Sequence, residues 1–167
     1  MSACPVCDAA LRRTHHDWVL SCPECGHLAS TLEAAIEQPV AEGRIDEERR
    51  ASALTALRRK NFDLILDRLA ALGSHGSVLL DVGCAHGWFL DAAAKRGYAV
   101  HGIEPDGRVA ARTAQRGHAV VVGLFPDALP AGARYDVIAF NDVFEHVHDP
   151  VRVLAACHDR LYPGGCS

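Results

Sequence analysis

The sequence predicts an α/β protein in which a parallel sheet follows a small cysteine-rich unit and a helical segment. Segments typical of strands and helices alternate from Ser77 onward, four cysteines cluster within residues 1–30, and apolar residues recur at helical spacing in between. Strand–helix alternation is the pattern of parallel sheets joined by right-handed crossovers. The chain has 167 residues, of which 49% are hydrophobic, so it can bury the core of one ordinary domain with a small appendage.

Composition narrows the classes of function. The net charge of −4 argues against a large nucleic-acid interface, which needs clustered lysines and arginines. The sequence has no 18-residue apolar run, so we expect no membrane span. The first residues, "MSACPVCDAALRRTHH", lack the continuous apolar region of a signal peptide. We therefore expect a cytoplasmic protein, whose cysteines are metal ligands or buried thiols rather than disulfides.

The cysteine-rich unit, residues 1–30, has the spacing of a metal site. "CPVC" and "CPECGH" supply Cys4, Cys7, Cys22 and Cys25, and 14 residues separate the two pairs. Four thiolates at this spacing can close on one tetrahedral zinc ion. We expect a zinc ribbon whose Zn²⁺ is structural, because a closed four-sulfur site leaves no open position for catalysis.

Two alternatives stay open for this unit. A histidine could replace one cysteine ligand, the candidates being His15, His16 and His27, or one CxxC pair could be redox-active. We also expect Trp18 to pack against the ribbon core, with contact to a partner as the alternative.

Residues 31–73 read as helical, with a break at Pro39 and Gly43 and a stop at Gly73. Apolar residues recur at steps of three and four and indicate one buried helix face. They are Ile45, Leu54, Leu57, Phe62, Ile65, Leu66, Leu69 and Leu72.

Residues 74–167 form the predicted α/β domain. The predicted strands are "SVLLDVG", "YAVHGIEP", "HAVVVG" and "RYDVIAFND"; helices "GWFLDAAAKRG" and "DGRVAARTAQRG" follow the first two strands. A last helix is expected after Asp149, with Pro150 in its first turn, and must end before Pro163.

The turn after the first of these strands, "DVGCAHG", carries the pattern Asp81-x-Gly83-x-Ala85-x-Gly87. A dinucleotide fingerprint needs glycines at 83, 85 and 88, and the chain has Ala85 and Trp88, which disfavours NAD and FAD. The turn resembles instead the first motif of class I S-adenosylmethionine-dependent methyltransferases, with Ala85 in place of the middle glycine.

Three further signals follow in the order that this family has them: Glu104 at the end of the second strand, "FNDVFEHVHDP" after the fourth, and "LYPGG" after the last helix. The resemblance covers roughly residues 60 to 165 and implies a Rossmann-like sheet. With the ribbon in front, the chain resembles the small-molecule branch that includes sugar C-methyltransferases.

The resemblance implies S-adenosyl-L-methionine as cofactor. Asp81 would organise its methionine end, Glu104 would hold the ribose hydroxyls, and Leu124 and Phe125 mark the loop near the adenine. The implied cofactor-binding set is Asp81, Gly83, Cys84, Ala85, Gly87, Glu104, Pro105, Leu124, Phe125, Asn141 and Asp142. Asp127 is a weaker candidate for the adenine, and Cys84 reads as a small buried group rather than a nucleophile.

Methyl transfer requires alignment of acceptor, methyl group and sulfur, and His146 is the candidate base where the acceptor must lose a proton. The expected partner is a small-molecule acceptor, with nucleic acid not expected and the oligomeric state open. The alternatives are a zinc-ribbon RNA methyltransferase or RNA-binding module, and a non-catalytic fragment that binds S-adenosylmethionine.

The family's sheet has seven strands in the order 3-2-1-4-5-7-6, and the sequence ends shortly after "LYPGG". The resemblance therefore implies an incomplete fold that stops after the fourth strand and its helix. We expect that strand to lie at an open sheet edge, which invites pairing with other chains, and methyl transfer by these residues alone to be weak.

Overall fold

The computed structural model describes residues 2–32, 47–74 and 77–166. The predicted break at Pro39 and Gly43, and Ile45, lie outside the described residues. The chain divides into two compact units, Met1–Ser52 with Asp149–Val151, and Ala53–His148 with Arg152–Ser167. Among the described residues, no helix combines the length and the apolar character that crossing a membrane requires.

The cysteine-rich unit contains a three-stranded antiparallel sheet in the order β1-β2-β3. Its strands are β1 (Arg12–Arg13), β2 (Val19–Ser21) and β3 (Leu28–Ser30). Its buried core consists of Cys4, Leu11 and Cys22. The expectation that Trp18 packs against this core is wrong: the residue is 46% exposed and its indole stacks on His16, with ring centroids 5.5 Å apart. Three buried residues, two of them cysteines, offer too little apolar surface to cover an indole.

The first helix, α1 (Glu47–Ala71), ends as predicted, because Gly73 adopts a φ of 84°. The buried face of this helix is narrower than predicted. Phe62 and Leu66, one turn apart, are buried against the α/β core, whereas Leu57, Ile65 and Leu72 are exposed. Apolar residues at steps of three and four can form a wide buried stripe, but only one line of these residues packs against the α/β core.

The second unit is built on a five-stranded parallel sheet in the order β6-β5-β4-β7-β8. Its strands are β4 (Val78–Val82), β5 (Ala99–Glu104), β6 (Ala119–Val122), β7 (Tyr135–Phe140) and β8 (Leu161–Cys166). The helices are α2 (Trp88–Lys95), α3 (Gly107–Gln115) and α4 (Pro150–Arg160), with a 3₁₀ turn at Phe144–His146. Each predicted strand and helix of this region is present.

Both faces of the sheet are covered, which explains why its central strand is a continuous apolar run. Leu79 of β4 faces the cluster that contains Phe62, Leu66 and Phe89, whereas Leu80 faces the opposite cluster. The side chains alternate because successive residues of a strand point to opposite faces.

The prediction of an open edge at the fourth strand is wrong. That strand is β7, and β8 pairs with it in parallel through Tyr135↔Leu161 and Val137↔Cys166, with an irregular register between them. The segment "LYPGG" does not read as a strand because proline and glycine are depleted in strands. Beside β7 lies an apolar cavity of about 510 Å³, whose lining includes Ile65, Leu69, Phe140, Phe144 and Leu154.

Candidate functional site

The turn between β4 and α2 has a backbone that ordinary side chains rarely adopt. The φ angles of Gly83, Ala85 and Gly87 are 71°, 43° and 71°, so three of its residues are left-handed. The turn is anchored on the neighbouring strand, since the N–H groups of Gly83 and Cys84 both donate to the carbonyl of Ile103, at 2.8 and 3.1 Å.

At two positions of this turn, the neighbouring side chains leave room only for glycine. A Cβ atom on Gly83 would lie 2.6 Å from Cγ2 of Val143, and one on Gly87 would lie 2.6 Å from Cγ2 of Thr113. Such separations are shorter than any ordinary carbon contact. Ala85, by contrast, is exposed, so its methyl group meets no such obstacle.

Glu104 ends β5 beside this turn and is held from two sides. Its Oε2 atom accepts a hydrogen bond from the N–H of Ala85, and its Oε1 atom accepts one from the N–H of Asp106, both at 3.0 Å. The residue is only 8% exposed. Each carboxylate oxygen can accept more than one hydrogen bond, so both can still receive hydroxyl donors from a ligand.

Asp81, at the end of β4, is a second buried carboxylate. It is 2% exposed and accepts a hydrogen bond from Nδ2 of Asn141 at 2.9 Å. Burial raises the pKa of Asp81 to about 7; the Asn141 hydrogen bond opposes this rise, and the negative charge of Glu104 adds to it. A cavity of about 40 Å³ adjoins Asp81, and its lining includes Arg58, His86 and Asn141.

Cys84 lies under the turn, where a Cβ atom on Gly102 would be 2.6 Å from its sulfur. Burial, with smaller contributions from the charges of Asp81 and Glu104, raises the pKa of the Cys84 thiol to about 12. The side chain is therefore a neutral buried group at physiological pH.

The loops after β5, β6 and β7 carry the other residues that the resemblance implies. Pro105 is exposed directly after Glu104, and Gly123 N–H donates to the Glu104 carbonyl at 3.0 Å, which places the next loop beside that strand end. In this loop Leu124 is 66% exposed, and the half-buried Phe125 meets Phe140 edge-to-face at 5.5 Å.

After β7, the left-handed Asp142 (φ 56°) pairs with Arg58 of α1 at 3.1 Å. His146 lies exposed on the 3₁₀ turn that follows. Asp127, the weaker adenine candidate, pairs with Arg152 at the surface.

The structure therefore brings Asp81, the glycine turn, Glu104 and Asn141 together at the carboxyl edge of the sheet. Two residues at this edge escape sequence reasoning, Thr113 and Val143. Thr113 reads as an ordinary helix residue and Val143 as a loop residue, so no sequence signal marks either one.

The four cysteines of the ribbon converge as predicted. Their sulfur atoms all lie within 4.8 Å of one another, with Cys4–Cys25 at 3.6 Å and Cys7–Cys22 at 3.4 Å. A tetrahedral zinc with Zn–S bonds of about 2.3 Å holds its sulfurs roughly 3.8 Å apart, so this donor set fits zinc.

The two cysteine pairs share one backbone geometry. The N–H of Asp8 donates to the Cys4 carbonyl and that of Gly26 to the Cys22 carbonyl, each at 3.0 Å. Asp8 and Gly26 both adopt the left-handed conformation, with φ of 59° and 75°. Hydrogen bonds from the backbone of Cys25 and of Glu24 lower the pKa of Cys22 to about 7, whereas the pKa values of the neighbouring Cys7 and Cys25 thiols are raised, so Cys22 is the first of these three to ionise.

Residues 53–166 match the family described as "Methyltransferase domain", and the chain belongs to this family. A ubiquinone biosynthesis O-methyltransferase of Pseudomonas paraeruginosa is 35% identical over 102 residues, which cover 56% of this chain and 43% of that protein. The corresponding enzyme of Leptothrix cholodnii is 38% identical over 100 residues, covering 54% of this chain and 42% of that protein. The matches thus cover less than half the length of these curated relatives.

Solved structures show the same fold. An amino pentose methyltransferase from Micromonospora echinaspora, solved with SAM bound, superposes with a TM-score of 0.57 at 24% identity, over 68% of this chain and 53% of that one. The plantazolicin methyltransferase BpumL in complex with SAH gives a TM-score of 0.53 at 18% identity, over 71% and 51% of the two chains. The predicted Rossmann-like parallel sheet of class I methyltransferases is confirmed.

Proposed function

We propose that this chain binds S-adenosyl-L-methionine at the carboxyl edge of its sheet and takes part in methyl transfer to a small-molecule acceptor. The observation that carries the proposal is the buried carboxylate of Glu104. Two backbone N–H groups hold it beside a turn whose glycines leave the backbone open to a ligand.

Each part of this edge suits one part of the cofactor. The Glu104 carboxylate accepts hydrogen bonds from the two ribose hydroxyls, with Pro105 beside it. Gly83, Ala85 and Gly87 present backbone rather than bulky side chains. Asp81, held by Asn141 at the end of β4, offers a carboxyl group to the positively charged methionine portion, whose charge would favour the ionised form.

The remaining assignments concern the loops beside this edge of the sheet. Leu124 and the half-buried Phe125 supply an apolar surface for the adenine, and Asp142 lines the far side after β7. His146 is the proposed base for acceptors that must lose a proton. When bound, the cofactor supplies an electrophilic methyl group, and the protein aligns the acceptor with it.

A small-molecule acceptor is favoured by the relatives, which are named ubiquinone and amino pentose methyltransferases. The net charge of −4 also favours it over nucleic acid, because a nucleic-acid interface depends on neutralising phosphates.

We further propose that Cys4, Cys7, Cys22 and Cys25 hold one structural Zn²⁺. The support is the sulfur geometry and the repeated backbone turn of the two pairs. Since the ribbon core is so small, metal binding would supply much of its folding free energy.

Isothermal titration calorimetry with S-adenosylmethionine, S-adenosylhomocysteine and NAD tests the cofactor assignment. We expect saturable binding of the first two with one site per chain and none of NAD. Absence of binding by both adenosyl ligands, or equal binding of NAD, would overturn the proposal.

A further inference from the structure

We propose that Thr113 is a positioning residue that compensates for the alanine in the cofactor turn by holding Ala85 in its left-handed conformation. This inference rests on the proposed cofactor site, and it explains how a turn that resembles a glycine-rich motif works with an alanine at its centre.

The two polar backbone groups of Ala85 are both held by side chains from elsewhere in the fold. Its carbonyl accepts a hydrogen bond from Oγ1 of Thr113 at 2.7 Å, and its N–H donates to Oε2 of Glu104 at 3.0 Å. Thr113 belongs to α3 and is 1% exposed, so this hydroxyl bond is shielded from water.

Ala85 needs this support because its φ is 43°. A residue with a Cβ atom disfavours the left-handed region, whereas glycine enters it at no steric cost. Without the Thr113 bond, the peptide groups on either side of Ala85 would relax toward ordinary conformations. The N–H that orients the Glu104 carboxylate would then turn away.

The same helix supports the next two residues of the turn. The methyl group of Thr113 occupies the space beside Gly87, 2.6 Å from where a Cβ atom would lie. Arg116 donates to the carbonyl of His86 and pairs with Asp91 of α2. Thr113 of α3 and Arg116, the residue that caps this helix, thus contact three consecutive residues of the turn, and Thr113 is the fully buried one of the two.

Two substitutions separate the hydroxyl of Thr113 from its methyl group. Thr113→Val keeps the shape and deletes the hydrogen bond, and Thr113→Ser keeps the bond and deletes the methyl group. We expect Thr113→Val to weaken binding of S-adenosylhomocysteine about fivefold to tenfold in calorimetry, and Thr113→Ser to stay within about twofold of the unmodified chain. Equal loss in both variants would indicate simple packing and overturn the inference.

The compensation itself is tested by placing glycine at the strained position. In an Ala85→Gly background the left-handed conformation is free of steric cost, so adding Thr113→Val should weaken binding less than about twofold. A full fivefold to tenfold loss in this background would show that Thr113 does not act through the conformation of Ala85.

A ligand-free measurement keeps this inference distinct from the proposed function. Amide hydrogen exchange at Ala85, taken relative to Leu80 in the central strand, should speed up at least about fivefold in Thr113→Val and not in Thr113→Ser. An unchanged ratio in Thr113→Val overturns the positioning role. If exchange responds as expected but the unmodified chain binds neither adenosyl ligand, the proposed function fails and the positioning role stands.

Discussion

Replacing Glu104 by alanine perturbs the cofactor site at the group on which the proposal depends most. The side chain lies at the end of β5, nearly buried, with one oxygen on the N–H of Ala85 and the other on that of Asp106. Glu104→Ala removes the acceptor for both backbone donors and, in the site that we propose, for the ribose hydroxyls as well.

The expected loss of affinity follows from these contacts. Hydrogen bonds to a charged group contribute about 1.5 to 3 kcal/mol, so loss of the carboxylate should raise the dissociation constant for S-adenosylmethionine about tenfold to a hundredfold. Glu104→Gln should weaken binding as well. Its amide NH₂ must face the N–H of either Ala85 or Asp106, and two donors repel each other.

Calorimetry on the purified chain measures this constant directly, and thermal unfolding of each variant checks that it is folded. Asp159→Ala is a control for the loss of one negative charge, because Asp159 is an exposed residue near the end of α4. We expect that variant to bind like the unmodified chain. An unchanged dissociation constant in folded Glu104→Ala would show that the ribose binds elsewhere.

Three further predictions concern the metal, the turn and pH. Cys22→Ser should lose most of its zinc by elemental analysis, whereas Cys166→Ser, outside the cluster, should keep it; equally tight stoichiometric zinc in Cys22→Ser would disprove the assignment. In urea unfolding, Gly83→Ala should be less stable than Gly97→Ala by about 1 to 3 kcal/mol, because both glycines have positive φ but only Gly83 faces a close neighbour; equal losses would mean that the neighbouring side chain moves aside. Because burial raises the pKa of Asp81 from 3.8 to about 7, the ligand-free native state keeps a proton that the unfolded chain releases. The stabilising contribution of this proton is complete below about pH 4 and is lost as the pH rises through about 7, a difference on the order of 4 kcal/mol relative to Asp81→Asn in pH-dependent unfolding. Parallel curves of stability against pH for the two proteins would refute the shift.

The elements that could be predicted from the sequence are those whose signal is local. The strand that ends at Asp81 is a short apolar run bounded by a glycine turn, and its burial on both faces is what such a run indicates. The cysteine pairs likewise define their own turns, and the left-handed Asp8 and Gly26 each follow the second cysteine of a pair.

The elements that were missed depend on the rest of the fold. Strand β8 contains Pro163 and two glycines, and it becomes a strand only by pairing with the edge of β7 that faces away from β4. Trp18 is apolar enough for a core, but the three buried residues of the ribbon offer too little surface to cover its indole. The exposed face of α1 could not be assigned from spacing alone, since spacing does not reveal how many lines of residues the sheet covers.

The turn at residues 81–87, where we propose that the cofactor binds, is formed by a local sequence motif but depends on residues from elsewhere in the fold. Ala85 is held by Thr113, 28 residues away, and Asp81 by Asn141, 60 residues away. Gly83 lies against Val143. Each of these partners offsets an unfavourable feature, namely a left-handed alanine, a buried carboxyl group or unfilled space beside a glycine. The geometry of the turn therefore depends on the packing of α3 and of the segment that follows β7. Substitutions in those elements should appear as changes in cofactor binding even where no side chain touches the ligand.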